Sequence, residues 1–524
     1  MKNFKNSTVY QIYIKSFKDS SSTGEGDIRG IIEKLDYLSY LGIRYIWITP
    51  FFKSPQRDNG YDVSNYLLPD SRYGELKDID DLIKEAKKRN IGLIFDMVLN
   101  HTSCSHEWFQ KALEGDKKYQ DYYIFKKGKG TKIPPTNWQS KFGGSAWKYV
   151  ESLDKWYLHL FDETQADLNW DNEEVRNEVK NIVKYWKNKG VEGFRFDVIN
   201  LISKPEQFND SLEGDGREYY TDGPKVHSYI QELVKDCGIE DYFTVGELSS
   251  TSVEHSIKYS NPKNKELKMV FSFYHLKVDY KNQNKWELED LDVRKLKDVL
   301  NEWQVKMQEG GGWNALFWSN HDQPRVLSRF GDDKKYHKQS AKMLATCMYL
   351  LRGTPFIYQG EEIGMTNAYF NSIDQYRDVE SKNYYDILLK ENRDKDEILK
   401  VLQERSRDNS RTPMQWDDSL NSGFSDNIPW LEVNKNYKEI NVEKQLRDSN
   451  SILNYYKCLI SLRATSSVIA NGLYKPLLLD DKDIFAYLRF DEKEEFLIVA
   501  NFSSKKTKAS FEFEENNYEM IMRN

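Results

Sequence analysis

Charged side chains stand in apolar runs where burial should exclude them. In GVEGFRFDVIN, residues 190–200, Arg195 and Asp197 interrupt a stretch otherwise fit for a protein core. Unpaired buried charges are costly, so their presence asks for a partner or a use. Two residues apart on a strand, they face the same side. Comparable intrusions are Asp96, followed by Asn100 and His101, in GLIFDMVLNH, then Glu247 in YFTVGEL, and His321 with Asp322 in FWSNHDQPR. Three carboxylates gathered at one mouth, Asp197, Glu247 and Asp322, are what hydrolysis of a glycosidic bond requires. One acid protonates the leaving oxygen while another, ionised, attacks or stabilises the oxocarbenium-like centre. Arg195 beside Asp197 would keep a nucleophile ionised, because a neighbouring cation lowers a carboxylate's pKa. Glu247 would have to stay protonated part of the time, in a drier or more negative setting. Each acid alone has a plainer use, capping a helix or pairing with arginine. The set, spread over separate strands, favours chemistry.

Such a set converges only if parallel strands bring their C-terminal ends together. A repeated unit supplies them. In DIRGIIEKLDYLSYLGIRYIWITP, Ile28, Ile31, Ile32, Leu35 and Leu38 keep helical spacing, Gly42 suits a helix stop, and 43–48 reads as a strand. In the next copy Ile79, Leu82, Ile83 and Ala86 form the stripe, Asn90 the stop, and 91–98 the strand. In a third, Asn172 caps a helix carrying Val175, Val179, Ile182, Val183 and Trp186, Gly190 ends it, and 191–197 is the strand. Further strands are expected at 9–14, 242–247, 314–319 and 355–358. Near-continuous apolar strands alternating with amphipathic helices imply a parallel sheet covered by helices. Seven or eight such units fit a (β/α)8 TIM barrel, in which polar residues at strand C-termini point into the active-site mouth. The barrel is expected over 1–100 and 171–469. An inserted subdomain after the third strand, 101–170, separates strand from helix by far more than an ordinary loop. From 470 to 524 the period becomes two, in DIFAYLRF, EEFLIVANFS and ASFEFEE, which predicts a small C-terminal antiparallel β domain.

Composition narrows the partners. The 524 residues are 39% hydrophobic and 30% charged, as in a globular protein, and the formal charge of −7 disfavours nucleic acid or an anionic membrane as partner. No run approaches 18 apolar residues, so no membrane span is expected. The opening MKNFKNSTVYQIYIKSF lacks an apolar signal core, which predicts a cytoplasmic protein. Cys104, Cys237, Cys347 and Cys458 lie far apart, and no His-x3-His pair occurs, so no metal or cofactor site is read from spacing.

The segments DMVLNHTS, GFRFDVIN, GELSS and NHDQPR, with NGYDVSNY at 59–66 and ADLNW at 166–170, together resemble the signature regions of the α-amylase superfamily of glycoside hydrolases. That resemblance spans nearly the whole chain. It implies Asp197 as nucleophile, Glu247 as general acid/base and Asp322 as the group gripping the sugar 2- and 3-hydroxyls. It further implies that Tyr61, Asp62, His101, Arg195, His321 and Arg411 line the glucosyl subsite, and that configuration is retained through a covalent glucosyl-enzyme. RDNSRTPMQW at 407–416, and Val198 after the nucleophile, are similar to the exo-acting oligo-1,6-glucosidase group. YYTDGPKVHSYIQEL, VGELSSTSVEHSIKY and FSFYHLKVDY are similar to those members that take a phosphorylated disaccharide, trehalose 6-phosphate, implying release of glucose and glucose 6-phosphate. The alternative is a neutral, isomaltose-like oligosaccharide. A phosphate would require cations at the outer rim, and Lys277 and Lys285 in HLKVDYKNQNKW are the candidates, ahead of Lys281. Related enzymes carry a calcium-type loop. Here DSSSTGEGD keeps Asp19 and Asp27 but places Ser21 and Thr23 where stronger oxygen ligands belong, implying a weak or empty site.

Overall fold

The computed structural model describes residues 3–130, 132–212, 214–511 and 518–524. Eight parallel strands carry the architecture: β1 Val9–Ile12, β2 Tyr45–Ile48, β3 Gly92–Met97, β4 Gly193–Phe196, β5 Phe243–Glu247, β6 Met269–Phe271, β7 Ala315–Leu316 and β8 Thr354–Tyr358. Their order around the sheet is β6-β5-β4-β3-β2-β1-β8-β7, and a parallel bridge between Val270 and Asn314 joins the two ends into a barrel. Six strands fall within the expected stretches, and β8 begins one residue ahead of its own. β6 was not anticipated. β7 is shorter than the expected 314–319 because residues beyond Leu316 bond elsewhere: the Phe317 carbonyl meets His275 Nε2 at 2.9 Å, and Ser319 Oγ accepts from Val326 N at 3.1 Å.

The helical stripes pack onto this barrel as their periodicity predicts. Val175, Val179, Ile182, Val183 and Trp186 are the buried residues of helix Glu173–Lys189; Asn172 accepts from the Glu174 amide at its start and Gly190, at φ 104°, ends it. A left-handed residue is needed at that stop, which is why glycine serves there. The first repeat breaks into two helices, Ile28–Glu33 and Leu35–Leu41, at Lys34. Among the described residues no helix is long and apolar enough to cross a membrane.

Between β3 and helix Glu173–Lys189 the chain leaves the barrel. It forms an antiparallel pair, His101–Ser103 with Gln165–Asp167, and a three-stranded sheet of Phe125–Lys126, Lys155–Leu158 and Trp147–Val150. After β8 a second excursion carries helices Val379–Lys390, Lys395–Arg405 and the short Asp408–Arg411. The tail forms an antiparallel sheet of β9 Leu473–Leu477, β10 Ile484–Phe490 and β11 Glu495–Asn501. The stretch expected as a strand at 509–515 lies mostly outside the described residues. β9 was not foreseen, because Pro476 argues against a central strand; it is an edge strand, where proline is tolerated.

Two buried arginines, one on the tail and one on helix Ile452–Thr465 before it, bind the barrel's underside. Arg489 on β10 donates to the carbonyls of Leu350, Val468 and Gly472 at 2.7, 3.2 and 2.8 Å. Arg463 donates to those of Gly353, Tyr349 and Leu351 at 2.8–2.9 Å. Both side chains are essentially inaccessible.

Candidate active site

At the C-terminal ends of the strands lies a cavity of about 320 Å³, within the range of small-molecule sites. Asp197 follows β4, Glu247 ends β5, and Asp322 lies six residues past β7; all three line this cavity. Their meeting point is Arg195. Its Nη1 donates to Asp197 Oδ1 at 2.5 Å and to Asp96 Oδ1 at 2.7 Å, and its Nη2 contacts the Glu247 carboxyl. One guanidinium thus touches both acids, which holds Asp197 and Glu247 on the same side of the mouth and close enough to flank a single bond. The loops behind them are also tied together: Asn200 accepts from the Ser249 amide and donates to the Ser249 carbonyl, each at 2.9 Å. Val198, directly after Asp197, is left-handed at φ 35° and ψ 42°. A β-branched residue rarely adopts that backbone, and strain of this kind collects where a side chain must be aimed.

Beneath the acids is a layer of buried polar groups. Asp96 accepts from Tyr61 Oη at 2.9 Å and Trp47 Nε1 at 3.0 Å as well as from Arg195. Burial pushes the Asp96 carboxyl up to about 7, against the pull of Arg195 and with the push of Asp197. His321 stacks on Tyr61, ring centroids 5.0 Å apart, and on Tyr13 at 6.2 Å. Gln11 Nε2 donates to its Nδ1 at 2.8 Å, which leaves Nε2 as the protonated nitrogen, 3.0 Å from Asp322 Oδ2. Burial pushes Asp322 upward, but His321, Arg407 and Arg411 outweigh it and hold the carboxyl well below the usual range. Asp322 Oδ1 receives Arg411 Nη2 at 2.9 Å and Arg407 Nη1 at 3.1 Å.

Of the residues expected at the glucosyl subsite, Tyr61 and His101 line the cavity. Arg195, His321 and Arg411 do not; each is fully buried and forms the floor that holds the acids. Asp62 is a correction. Its carboxylate turns into its own loop, accepting from Ser54 Oγ at 2.8 Å and the amides of Arg57 and Asp58 at 2.9 and 3.2 Å. Asp58 faces the cavity instead, aimed by the turn through Asn59 and Gly60, at φ 48° and 101°. Its carboxylate meets Arg407 Nη2 at 2.9 Å and Gln165 Nε2 at 3.2 Å. Burial pushes Asp58 up to about 7 in spite of Arg407 and Arg411. Arg407, a lining residue, was also missed, although it precedes Arg411 by four and helical spacing puts both on one face.

Lys277 and Lys285 both line the cavity. The two differ in their partners: Lys285 Nζ pairs with Glu380 at 2.6 Å, whereas Lys277 lies over the ring of Tyr274 at 5.2 Å.

In the 19–27 loop both carboxylates are engaged by donors of the protein itself. Asp27 accepts from Ser20 N, Ser20 Oγ and Gly30 N at 3.0, 2.8 and 2.6 Å, and Asp19 from Ser21 N, Gly24 N and Ser425 Oγ at 2.9, 2.8 and 2.6 Å. Hydroxyl and amide donors already engage the oxygens a cation would need, and two carboxylates fall short of calcium's usual shell. Among the described residues no cluster of three or more His, Cys, Asp or Glu is arranged for a metal.

Known proteins are similar to this chain. The model of the α-amylase catalytic domain matches residues 11–472. Trehalose-6-phosphate hydrolase of Bacillus subtilis (strain 168) is 52% identical over 510 residues, covering 97% of this chain and 91% of that protein. An oligo-1,6-glucosidase of Parageobacillus thermoglucosidasius is 47% identical over 511 residues, covering 96% and 91%. The crystal structure of Bacillus licheniformis trehalose-6-phosphate hydrolase superposes with a TM-score of 0.94 at 52% identity, covering 98% of this chain and 94% of that one. With the barrel, the three mouth carboxylates and a match over residues 11–472, the chain belongs to the α-amylase family.

Proposed function

We propose that this protein is a retaining α-glycoside hydrolase that cleaves trehalose 6-phosphate to glucose and glucose 6-phosphate. The observation that carries the chemistry is the shared contact of Asp197 and Glu247 with Arg195. In the first step the Asp197 carboxylate attacks the anomeric carbon while Glu247 gives its proton to the glycosidic oxygen, and glucose 6-phosphate leaves. In the second, Glu247 removes a proton from water, which attacks the glucosyl ester and regenerates Asp197. Asp322, kept ionised by Arg407 and Arg411, holds hydroxyls of the glucosyl unit as it flattens toward the transition state. Arg195 stays charged throughout, because Asp96 and Asp197 together outweigh its burial.

The identity of the departing sugar rests on the relatives and on the rim. The 52% identical relative is named for trehalose 6-phosphate, and Lys277 supplies a cavity-facing ammonium that a neutral disaccharide does not need. A phosphorylated sugar does not cross membranes, so this activity belongs in the cytoplasm. The test is release of glucose 6-phosphate from trehalose 6-phosphate, measured beside glucose release from isomaltose. A higher kcat/KM on isomaltose would replace this reading with that of an oligo-1,6-glucosidase.

A further inference from the structure

The cavity rim carries three lysines, and their surroundings separate them. Lys285 is 2.6 Å from Glu380, which also lies 3.5 Å from Arg407, so its charge is balanced within the protein. Lys277 follows the short helix Tyr274–Leu276 beyond β6, and Lys141 belongs to the segment inserted after β3; both line the same cavity. Among the described residues neither has a carboxylate within ion-pairing distance. Each ammonium instead sits over an aromatic face, Lys141 at 5.3 Å from the ring of Tyr220 and Lys277 at 5.2 Å from that of Tyr274.

Two poorly solvated cations facing one cavity disfavour each other until an anion arrives. Burial pushes both lysines down to about 8. Arg217 and Lys277 lower Lys141 further while Asp215 and Asp167 raise it, and Arg217 also lowers Lys277. The two opposing carboxylates are engaged elsewhere: Asp215 with Arg217 at 2.5 Å and Asp167 with Lys204 at 2.7 Å. Neutral aromatic contacts and spent carboxylates leave a site whose charge is matched by a dianion and by little else nearby.

We propose that Lys141 and Lys277, one from the inserted segment and one from the barrel, form a two-sided clamp for the substrate's phosphate, with Lys285 outside it. This rests on the trehalose 6-phosphate reading above. The clamp has a pH signature. A phosphate monoester is a dianion above about pH 6, and each lysine of the free enzyme's clamp is half discharged at about pH 8. As pH rises through 8 the lysines lose protons, so kcat/KM on the phosphorylated substrate falls there and that on an uncharged aryl α-glucoside does not follow it.

The experiment compares Lys141→Met, Lys277→Met and Lys285→Met on trehalose 6-phosphate and on p-nitrophenyl α-glucoside. Each clamp variant loses about 10- to 150-fold in kcat/KM on the phosphorylated sugar, the worth of a charge-assisted hydrogen bond, chiefly through KM, and keeps its aryl glucosidase activity, which also certifies the fold. Lys285→Met keeps its preference for the phosphorylated sugar, Lys141→Arg restores most of the loss, and the alkaline fall is shallower in the double variant. Equal losses on both substrates for Lys141→Met overturn the clamp and leave the reaction assignment standing. A wild-type enzyme that hydrolyses the aryl glucoside and not trehalose 6-phosphate overturns the assignment and the clamp with it.

Discussion

Asp96 is fully buried and does not line the cavity, yet the electrostatics of the mouth rest on it. Replacing it by asparagine keeps the shape and removes one charge and one acceptor. In the native arrangement Oδ1 accepts from Arg195 at 2.7 Å, while Oδ2 accepts from Tyr61 and Trp47 at 2.9 and 3.0 Å. An amide offers one oxygen. Turned toward Arg195, it presents its NH2 to two donors, and Trp47, which cannot rotate its N–H away, stays unsatisfied at about 1–3 kcal/mol. Turned the other way, it strips a partner from a buried guanidinium, at about 3–5 kcal/mol. The cheaper orientation prevails, so Asp96→Asn should lower stability by about 1–3 kcal/mol. Chemistry should suffer separately. Arg195 must then be neutralised by Asp197 alone, since Glu247 carries its proton at this step, and a nucleophile held more tightly by its counter-ion is a poorer one. Each 1.4 kcal/mol of extra ground-state pairing slows attack about tenfold, and a loss of that order is expected. Urea unfolding followed by tryptophan fluorescence measures the first effect. The rate of phenol release in single turnovers of an aryl α-glucoside isolates the second. An unchanged unfolding midpoint together with an unchanged glucosylation rate would refute the idea that Asp96 balances Arg195.

Asp197→Asn and Glu247→Gln should each abolish nearly all turnover while circular dichroism and thermal unfolding stay native; either variant keeping about a tenth of the wild-type rate contradicts the assigned roles. Exhaustive chelation should leave activity and melting temperature unchanged, because the Asp19 and Asp27 oxygens are already engaged by protein donors; a melting temperature that climbs with added calcium would show a bound ion.

Much of this was legible in the sequence, and what escaped did so for identifiable reasons. The long repeats read well: the third predicted stripe is the buried face of its helix residue for residue. β6 spans only Met269–Phe271, too short for periodicity to register. The three mouth carboxylates were visible because a carboxylate at the end of an apolar strand is costly to bury unless it is paired or put to use. Asp58 and Asp62 could not be ranked, since they flank one turn four residues apart and only the left-handed Asn59 and Gly60 decide which faces inward. Lys141 stood in an aromatic-rich insertion with no periodicity, and nothing local distinguishes it from a solvated lysine. Its meaning comes from Lys277, 136 positions away in the chain, facing the same cavity.

Arg489 has a consequence for how the molecule is made. Until that residue has left the ribosome, the carbonyls of Leu350, Val468 and Gly472 lack the donor they have in the finished protein. Leu350 lies just ahead of β8, the stave that bridges β1 and β7. The ring is therefore not fully secured as its own strands emerge, and its last hydrogen bonds wait on a segment synthesised more than a hundred residues later.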